Sequence, residues 1–265
     1  MHAEPSTGAR RVALLLEYDG TAYRGSQYQE NAPTIQASLE AAIRDLTHED
    51  VRVAFAGRTD AGVHALGQVA AFDTHSGLTP GELRAGLNHF LPADVTVVAA
   101  RDTYVRFDPR RDAVSRAYRY VIVNRRARPA LARDRAWHVP QRLDVDAMRE
   151  AAAILEGRHD FAAFAGAYDG DTVRTLRACR VHSGCDRVTL DFEAQAFLPH
   201  QVRRTVGPLV EVGLGRMRVE DVGRLLREPR PSTAGPAAPP CGLYLVRVTY
   251  DGFAFEPAEE DGTEA

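Results

Sequence analysis

Lysine is absent from this sequence. All 33 residues counted as lysine or arginine in the 265-residue chain are arginines. This absence excludes a Schiff-base lysine, a P-loop lysine and any lysine nucleophile. Cysteine is almost as scarce, with three residues whose spacing fits no zinc-binding pattern and whose odd number argues against a disulfide framework. We therefore expect reduced thiols and no metal site.

Long apolar segments are lacking as well. No run approaches the roughly 20 apolar residues that cross a bilayer, and residues 1–10 contain no apolar core of the signal-peptide type. Hydrophobic residues make up 45% of the chain and charged residues 26%, which is ordinary for a globular protein. We expect a cytoplasmic protein without membrane contact.

Charge is unevenly distributed, although the formal net charge is only -3. Residues 101–142 hold twelve arginines against four aspartates, whereas the last ten residues hold five acids and no base. Clustering of arginine in one part of the chain indicates a polyanion-binding surface, with a solvated charged surface as the plainer alternative. The acidic tail, residues 256–265, is expected to be disordered.

The first half of the chain alternates between strand and helix signals. Alternating and β-rich runs predict strands, and apolar residues at helical spacing predict helices. Thr79-Pro80-Gly81-Glu82 is a capping box with proline at the first helical position. The predicted elements are strands at 12–19, 51–55, 67–74 and 95–100, and helices at 34–47 and 79–90.

The second half repeats this order. The predicted elements are strands at 113–124, 173–183, 187–196 and 243–250, and helices at 144–156 and 198–214, with a short extra helix at 219–227. The segment 228–240 contains five prolines and cannot be regular structure.

Two consecutive β-α-β-β-α-β units predict an α+β protein built from two ferredoxin-like halves. We expect them to form one long, mixed, mostly antiparallel sheet with helices on one face and a central cleft. The expected boundaries are residues 1–105 for the N-terminal half and 106–255 for the C-terminal half. Loops that cross the cleft are the expected place for function.

A loop with two glycines, Gly57-Arg58-Thr59-Asp60-Ala61-Gly62, follows the second predicted strand. Glycine permits positive φ and close backbone approach, so Asp60 is expected on a sharp turn. On local composition alone, this aspartate is a turn residue that caps its own backbone.

Extended by Val63-His64-Ala65, the loop closely resembles the signature of the TruA family, the tRNA pseudouridine synthases that act on the anticodon arm. The resemblance covers residues 12–250 and implies the pseudouridine synthase fold. Its other motifs are Glu17-Tyr18-Asp19-Gly20-Thr21-Ala22-Tyr23, Arg116-Ala117-Tyr118-Arg119-Tyr120, Gly157-Arg158-His159-Asp160-Phe161-Ala162-Ala163-Phe164, Phe197-Leu198-Pro199-His200-Gln201-Val202-Arg203 and Ala238-Pro239-Pro240-Cys241-Gly242-Leu243-Tyr244-Leu245.

The resemblance implies that uridine is isomerised to pseudouridine at tRNA positions 38, 39 and 40. Asp60 matches the catalytic nucleophile, Arg203 the arginine that pairs with it, and Tyr118 the tyrosine that stacks on the target base. Breaking the C1′–N1 bond requires a carboxylate that either attacks C1′ or assists removal of a sugar proton, and it requires no cofactor.

The same resemblance implies a set of substrate-binding residues and a homodimer whose tRNA contacts both subunits. Arg58 matches a residue that exchanges places with the target base, with a turn-stabilising role as the alternative. Leu245 is expected to pack against the flipped base, and Leu243 faces the same way. We expect Arg110 and Arg116 to hold phosphates without reading the base sequence.

The sequence departs from the family at Ser26, where an aromatic residue is usual, and at Pro199 and Gln201. These departures concern local packing and substrate range rather than the reaction. The alternatives are a relative that modifies another RNA position, a tRNA-binding protein without turnover, and a glycoside hydrolase. The last would need a second carboxylate, for which Asp19 and Asp160 are available.

Overall fold

The computed structural model describes residues 8–255, so the acidic tail at 256–265 lies outside the described residues. The strands within them are β1 (Arg10–Tyr18), β2 (Ala54–Phe55), β3 (His64–Thr74), β4 (Val95–Thr103), β5 (Ala113–Val123), β6 (Trp137–His138), β7 (Gly157–Asp160), β8 (Val173–Gly184), β9 (Arg187–Ala194) and β10 (Leu243–Tyr250). The α-helices are α1 (Ile35–Thr47), α2 (Pro80–Phe90), α3 (Val145–Ile154), α4 (Gln201–Gly213) and α5 (Val219–Arg227).

All the strands belong to one sheet with the order β4-β1-β3-β10-β5-β9-β8-β7, in which β2 also pairs with β3 and β6 with β5. In the first half, the order β4-β1-β3-β2 is antiparallel throughout. In the second half, β10-β5-β9-β8 repeats that arrangement with antiparallel pairs. Each half therefore has the split β-α-β arrangement of a ferredoxin-like unit, and the predicted fold class is confirmed.

The two halves meet along one edge of β3. Residues 70–71 of β3 pair with β2, whereas residues 64–65 pair in parallel with residues 244–245 of β10. We call this junction of β3 and β10 the seam. The segment that connects β2 to β3 lies beside it, because a Cβ added to Gly57 would be 3.5 Å from the Tyr118 hydroxyl on β5.

Alternation along the strands separates the two faces of the sheet. Val12, Leu14 and Leu16 of β1 are fully buried in the main core, to which all five described α-helices contribute. Ala13 and Val69 point the other way, into a smaller cluster made of strand and loop residues. The helices thus cover one face of the sheet, as predicted.

Three of the helix starts agree with the sequence signals. Thr34 caps α1, the Thr79–Glu82 capping box precedes α2, and Asp144 caps α3. Each side chain accepts a backbone N–H that the first helical turn leaves without an internal partner.

The predicted helix at 198–214 begins three residues late, at Gln201. The Gln201 side chain accepts the Leu198 N–H at 2.8 Å, and His200 has a left-handed backbone with φ 58°. This tight turn replaces the first helical turn that the amphipathic pattern predicted, and it redirects His200 away from the helix.

The predicted strand at 51–55 shrinks to β2 because side chains of α1 occupy its backbone groups. Val53 N–H donates to Glu40 Oε1 at 2.9 Å, and Gln36 Nε2 donates to Val53 O at 3.3 Å. The short strands β6 and β7 were not predicted, since neither has an alternating apolar pattern. The boundary near residue 105 stays a prediction.

Candidate active site

Buried polar side chains hold the loop between β2 and β3 from beneath. Gln68 is fully buried; its amide donates to Gly57 O at 2.7 Å and accepts Gly57 N–H at 3.2 Å. Thr59 N–H donates to Ser26 Oγ at 2.9 Å, and the Thr59 hydroxyl lies 2.8 Å from the Tyr18 hydroxyl. Breaking any of these bonds would leave a buried polar group unsatisfied, so the turn that follows is held in one position.

Asp60 lies on that turn and contacts the start of α4. Its Oδ2 accepts a hydrogen bond from Arg203 Nη1 at 2.9 Å and lies 2.8 Å from His200 Nδ1. The side chains of Asp60 and Arg203 are 31% and 15% exposed, so the ion pair is partly shielded from water. A charge-assisted hydrogen bond in such a setting is stronger than a neutral one. The structure thus brings two of the predicted catalytic residues together.

Arg203 is itself fixed by a neighbouring segment. Its Nε donates to Ala238 O at 2.7 Å, and its backbone oxygen accepts Ala238 N–H at 3.0 Å. The proline-rich segment 228–240, which contains Ala238, therefore orients the guanidinium so that Nη1 can bind Asp60.

Tyr118, the third predicted catalytic residue, lies on β5 under the same loop and is 8% exposed. Its ring meets Phe197 edge to face, with centroids 5.2 Å apart. Burial, followed by the nearby Tyr18 and Asp60, raises the pKa of the Tyr118 phenol well above its usual range. Leu245 is fully buried behind this residue, whereas Leu243 lines the cavity described next.

A cavity of about 610 Å³ opens beside Asp60, between residues of the two halves. Within residues 8–255, its lining contains one carboxylate, that of Asp60, and several cationic side chains. The cationic side chains are His200 when protonated and Arg58, Arg110, Arg111, Arg116, Arg174 and Arg203. A cleft lined by charges of one sign attracts ions of the other, so this cavity suits a polyanion.

The three arginines predicted to bind substrate differ in exposure. Arg58 and Arg110 are exposed on the cavity lining. Arg116 is only 7% exposed; its Nε and Nη2 donate to Ala56 O at 3.0 and 2.7 Å, and its nitrogens also donate to the Gln195 and Arg110 carbonyls. This geometry favours support of the cavity wall over phosphate binding, which stays a prediction for Arg116.

The sequence reasoning assigned no role to His200, although its imidazole contacts Asp60. One signal was available, because in the predicted helix at 198–214 the three-residue spacing of His200 and Arg203 would place both side chains on one side. In the structure, the turn before α4 makes the contact instead. The buried clamp formed by Gln68 and Ser26 was also missed. Ser26 stood out only as an expected departure from the family's aromatic residue, and nothing in the local sequence distinguishes Gln68 from an ordinary strand position.

The carboxylates that a glycoside hydrolase would need lie elsewhere. Asp19 accepts a hydrogen bond from Arg135 at 2.7 Å, and Asp160 accepts one from the Thr172 hydroxyl at 2.6 Å. Neither lines the cavity of Asp60. In the part of the chain that the structure describes, no cluster of His, Cys, Asp and Glu has three members placed to hold a metal ion. Nor does any helix there have the length and apolar character of a membrane span.

Comparison with known proteins identifies the family. A family model described as tRNA pseudouridine synthase matches residues 15–110 and 151–251. The tRNA pseudouridine synthase A of Rhodopseudomonas palustris (strain BisA53) is 48% identical over 246 residues, which are 91% of this chain and 99% of that protein. The proteins of the same name from Myxococcus xanthus and Thermoanaerobacter sp. (strain X514) are 48% and 40% identical over 243 residues. Each match covers 91% of this chain, and 92% and 100% of the respective relative. The chain therefore belongs to the tRNA pseudouridine synthase family.

Proposed function

We propose that this protein isomerises uridine to pseudouridine in tRNA, with Asp60 as the nucleophile and without a cofactor. The observation that carries the proposal is the position of Asp60, the one carboxylate that residues 8–255 contribute to an arginine-rich cavity. A carboxylate repels phosphate, so this one would not help a protein whose function was only to bind tRNA. Relatives over most of the chain are named as tRNA pseudouridine synthases, which supports the same reaction.

The proposed reaction replaces one glycosidic bond with another. A carboxylate oxygen of Asp60 attacks C1′ of the target uridine, and the electron pair of the C1′–N1 bond leaves with the base. The base turns, C5 attacks C1′, and the bond between C1′ and Asp60 breaks to restore the carboxylate. The proton on C5 passes to water and N1 takes up a proton, so the product is an isomer of the substrate.

The neighbours of Asp60 have matching roles in this proposal. Arg203 holds the carboxylate in position through both steps. The ring of Tyr118 stacks on the base after it leaves the RNA helix, which replaces about 1–3 kcal/mol of lost stacking. Leu243 on the cavity lining, with Leu245 behind it, provides the apolar wall on the other side of the base.

The exposed arginines of the cavity would bind the tRNA backbone. Arg110 binds phosphate, and Arg58 takes the place of the target base when that base leaves the stack, since a planar guanidinium can stack and bind phosphate. Contacts of this kind recognise shape rather than sequence. That mode of binding suits an enzyme acting on neighbouring uridines, which we propose from the family resemblance to be those at positions 38, 39 and 40.

The family resemblance also supports a cytoplasmic homodimer in which one tRNA contacts both subunits. Light scattering on the purified protein, alone and with tRNA, measures the mass of the complex. A protein that stays monomeric in both samples would contradict this part of the proposal.

The main experiment measures tritium release from tRNA that carries tritium at C5 of uridine. We expect release by the wild type and by D45A, a control that removes an exposed aspartate on α1. D60A and D60N should bind tRNA but release tritium at least about 1,000-fold more slowly, because the nucleophile is missing.

Two outcomes would contradict the proposal. Release by D60A at the wild-type rate would exclude Asp60 as the nucleophile. Binding of tRNA without release by the wild type, for any tRNA tested, would favour a tRNA-binding protein without turnover.

A further inference from the structure

The contact between His200 and Asp60 has no part in the reaction proposed above. We infer that His200 is a positioning residue whose Nδ1–H holds Oδ2 of Asp60 together with Arg203, so that Oδ1 is the oxygen that attacks C1′. This inference rests on the proposed function, because it assigns roles within that reaction.

The two contacts of Asp60 end on the same oxygen. His200 Nδ1 lies 2.8 Å from Oδ2, and Arg203 Nη1 lies 2.9 Å from it. A carboxylate oxygen only accepts hydrogen bonds, so Nδ1 must carry the proton. Between residues 8 and 255, no donor binds Oδ1. An oxygen with two N–H donors has its charge stabilised by both, which leaves the free oxygen as the better nucleophile.

The backbone of His200 is arranged for this contact at a local cost. His200 occupies the N-cap position of α4 with φ 58°, a region that non-glycine residues rarely adopt. Its side chain makes no capping bond to the helix, although N-cap side chains commonly do so. Such strain persists only where the surrounding structure enforces it. Here its result is an imidazole directed at Asp60 instead of at the helix.

The neighbouring segments are shaped around the imidazole. A Cβ added to Gly166 would lie 2.5 Å from His200 Cδ2, closer than such atoms approach in real structures. The absence of a side chain at Gly166 therefore leaves room for the imidazole. Gly166 N–H donates to Pro199 O at 2.8 Å, and the Gln201 side chain accepts Leu198 N–H at 2.8 Å. The residues on either side of His200 thus stabilise the turn that presents it, Pro199 through its backbone carbonyl and Gln201 through its side chain.

The experiment compares substitutions of His200 that keep or remove a hydrogen-bond donor at the position of Nδ1. The amide nitrogen of Asn in H200N can reach Oδ2, whereas that of Gln in H200Q extends to the place of Nε2, and H200L has no donor. We expect kcat for tritium release to fall about 10- to 100-fold in H200L and H200Q and to stay within about threefold in H200N. The Kd for tRNA should stay within about twofold in all three. H75L, which changes an exposed histidine after β3, is the matched control.

Each contrary outcome has a distinct meaning. Wild-type kcat in H200L, or equal rates in H200N and H200Q, would overturn the inference, and the second comparison remains informative if H200L does not fold. Loss of tRNA affinity without loss of kcat would make His200 a phosphate-binding residue instead. These outcomes all require an active wild type, whereas an inactive wild type that binds tRNA contradicts the proposed function itself.

Discussion

The planar guanidinium of Arg203 makes two contacts, and these contacts determine which residue can replace the arginine. Nη1 binds Asp60 while Nε binds the Ala238 carbonyl, at 2.9 and 2.7 Å. A lysine ammonium is a single point charge on a flexible stem, so it cannot make both contacts in the same fixed geometry. In this lysine-free chain, the cation that contacts Asp60 is an arginine with directional donors.

We therefore predict that R203K loses about 10- to 100-fold in kcat and that R203A loses more. The lysine retains the charge but not the orientation, and a hydrogen bond to a charged group contributes about 1.5–3 kcal/mol. Single-turnover tritium release at saturating tRNA measures the effect. R224K is the control, because Arg224 forms an exposed ion pair with Asp221 on α5. Equal rates for R203K and the wild type would show that charge alone suffices.

At the scale of elements, the loop between β2 and β3 that carries Asp60 depends on a strand residue that packs against it. Gln68 of β3 satisfies both backbone groups of Gly57 and donates to the Tyr18 hydroxyl at 3.3 Å. Beyond the end of β2, the Gln68 amide thus makes the hydrogen bonds that a neighbouring strand would otherwise make with the backbone of Gly57. The loop can leave the sheet without losing its backbone hydrogen bonds, which is how Asp60 is presented at a fixed position beside the seam.

We predict that Q68L destabilises the protein by about 2–4 kcal/mol, since it leaves the Gly57 N–H and C=O without their partner and removes one of the two hydrogen bonds of the Tyr18 hydroxyl, and each unsatisfied buried group costs about 1–3 kcal/mol. Urea unfolding followed by circular dichroism measures the free energy of unfolding. Q27L, at an exposed position, is the control and should change it by less than about 0.5 kcal/mol. An unchanged stability of Q68L would mean that water replaces the amide.

The sequence predicts elements well where a local signal decides them. The helix at 219–227 and the strand at 243–250 agree with α5 and β10 to the residue. Prediction fails where distant side chains decide: the strand at 51–55 is shortened by polar residues of α1. The contact between His200 and Asp60 joins positions 140 residues apart, so only the folded sheet reveals it.

At the scale of the whole molecule, two small halves become one protein through a single continuous sheet. The parallel pairing of β10 with β3 joins them, and the two halves bury several tyrosines wholly or in part. Burial raises the pKa of each of these phenols above the usual value near 10. The pKa is raised to about 12 for Tyr18, Tyr23 and Tyr244, and still further for Tyr118, Tyr120 and Tyr250.

These shifts predict that stability is lost at alkaline pH in a defined window. Below about pH 10 the phenols are neutral in both states, so they do not alter the stability. Between pH 10 and 12 the unfolded chain loses protons that the folded chain keeps, and the free energy of unfolding falls by up to about 1.4 kcal/mol per pH unit for each tyrosine. Because lysine is absent, no lysine titrates in this window. Burial also raises the pKa of the Cys179 and Cys241 thiols, which adds to the loss of stability. Urea unfolding at each pH measures the total, and tyrosinate absorbance at 295 nm follows the tyrosines separately. If all nine tyrosines of the chain ionised near pH 10 in the folded protein, the phenols would be accessible to water and these side chains would not be packed as described.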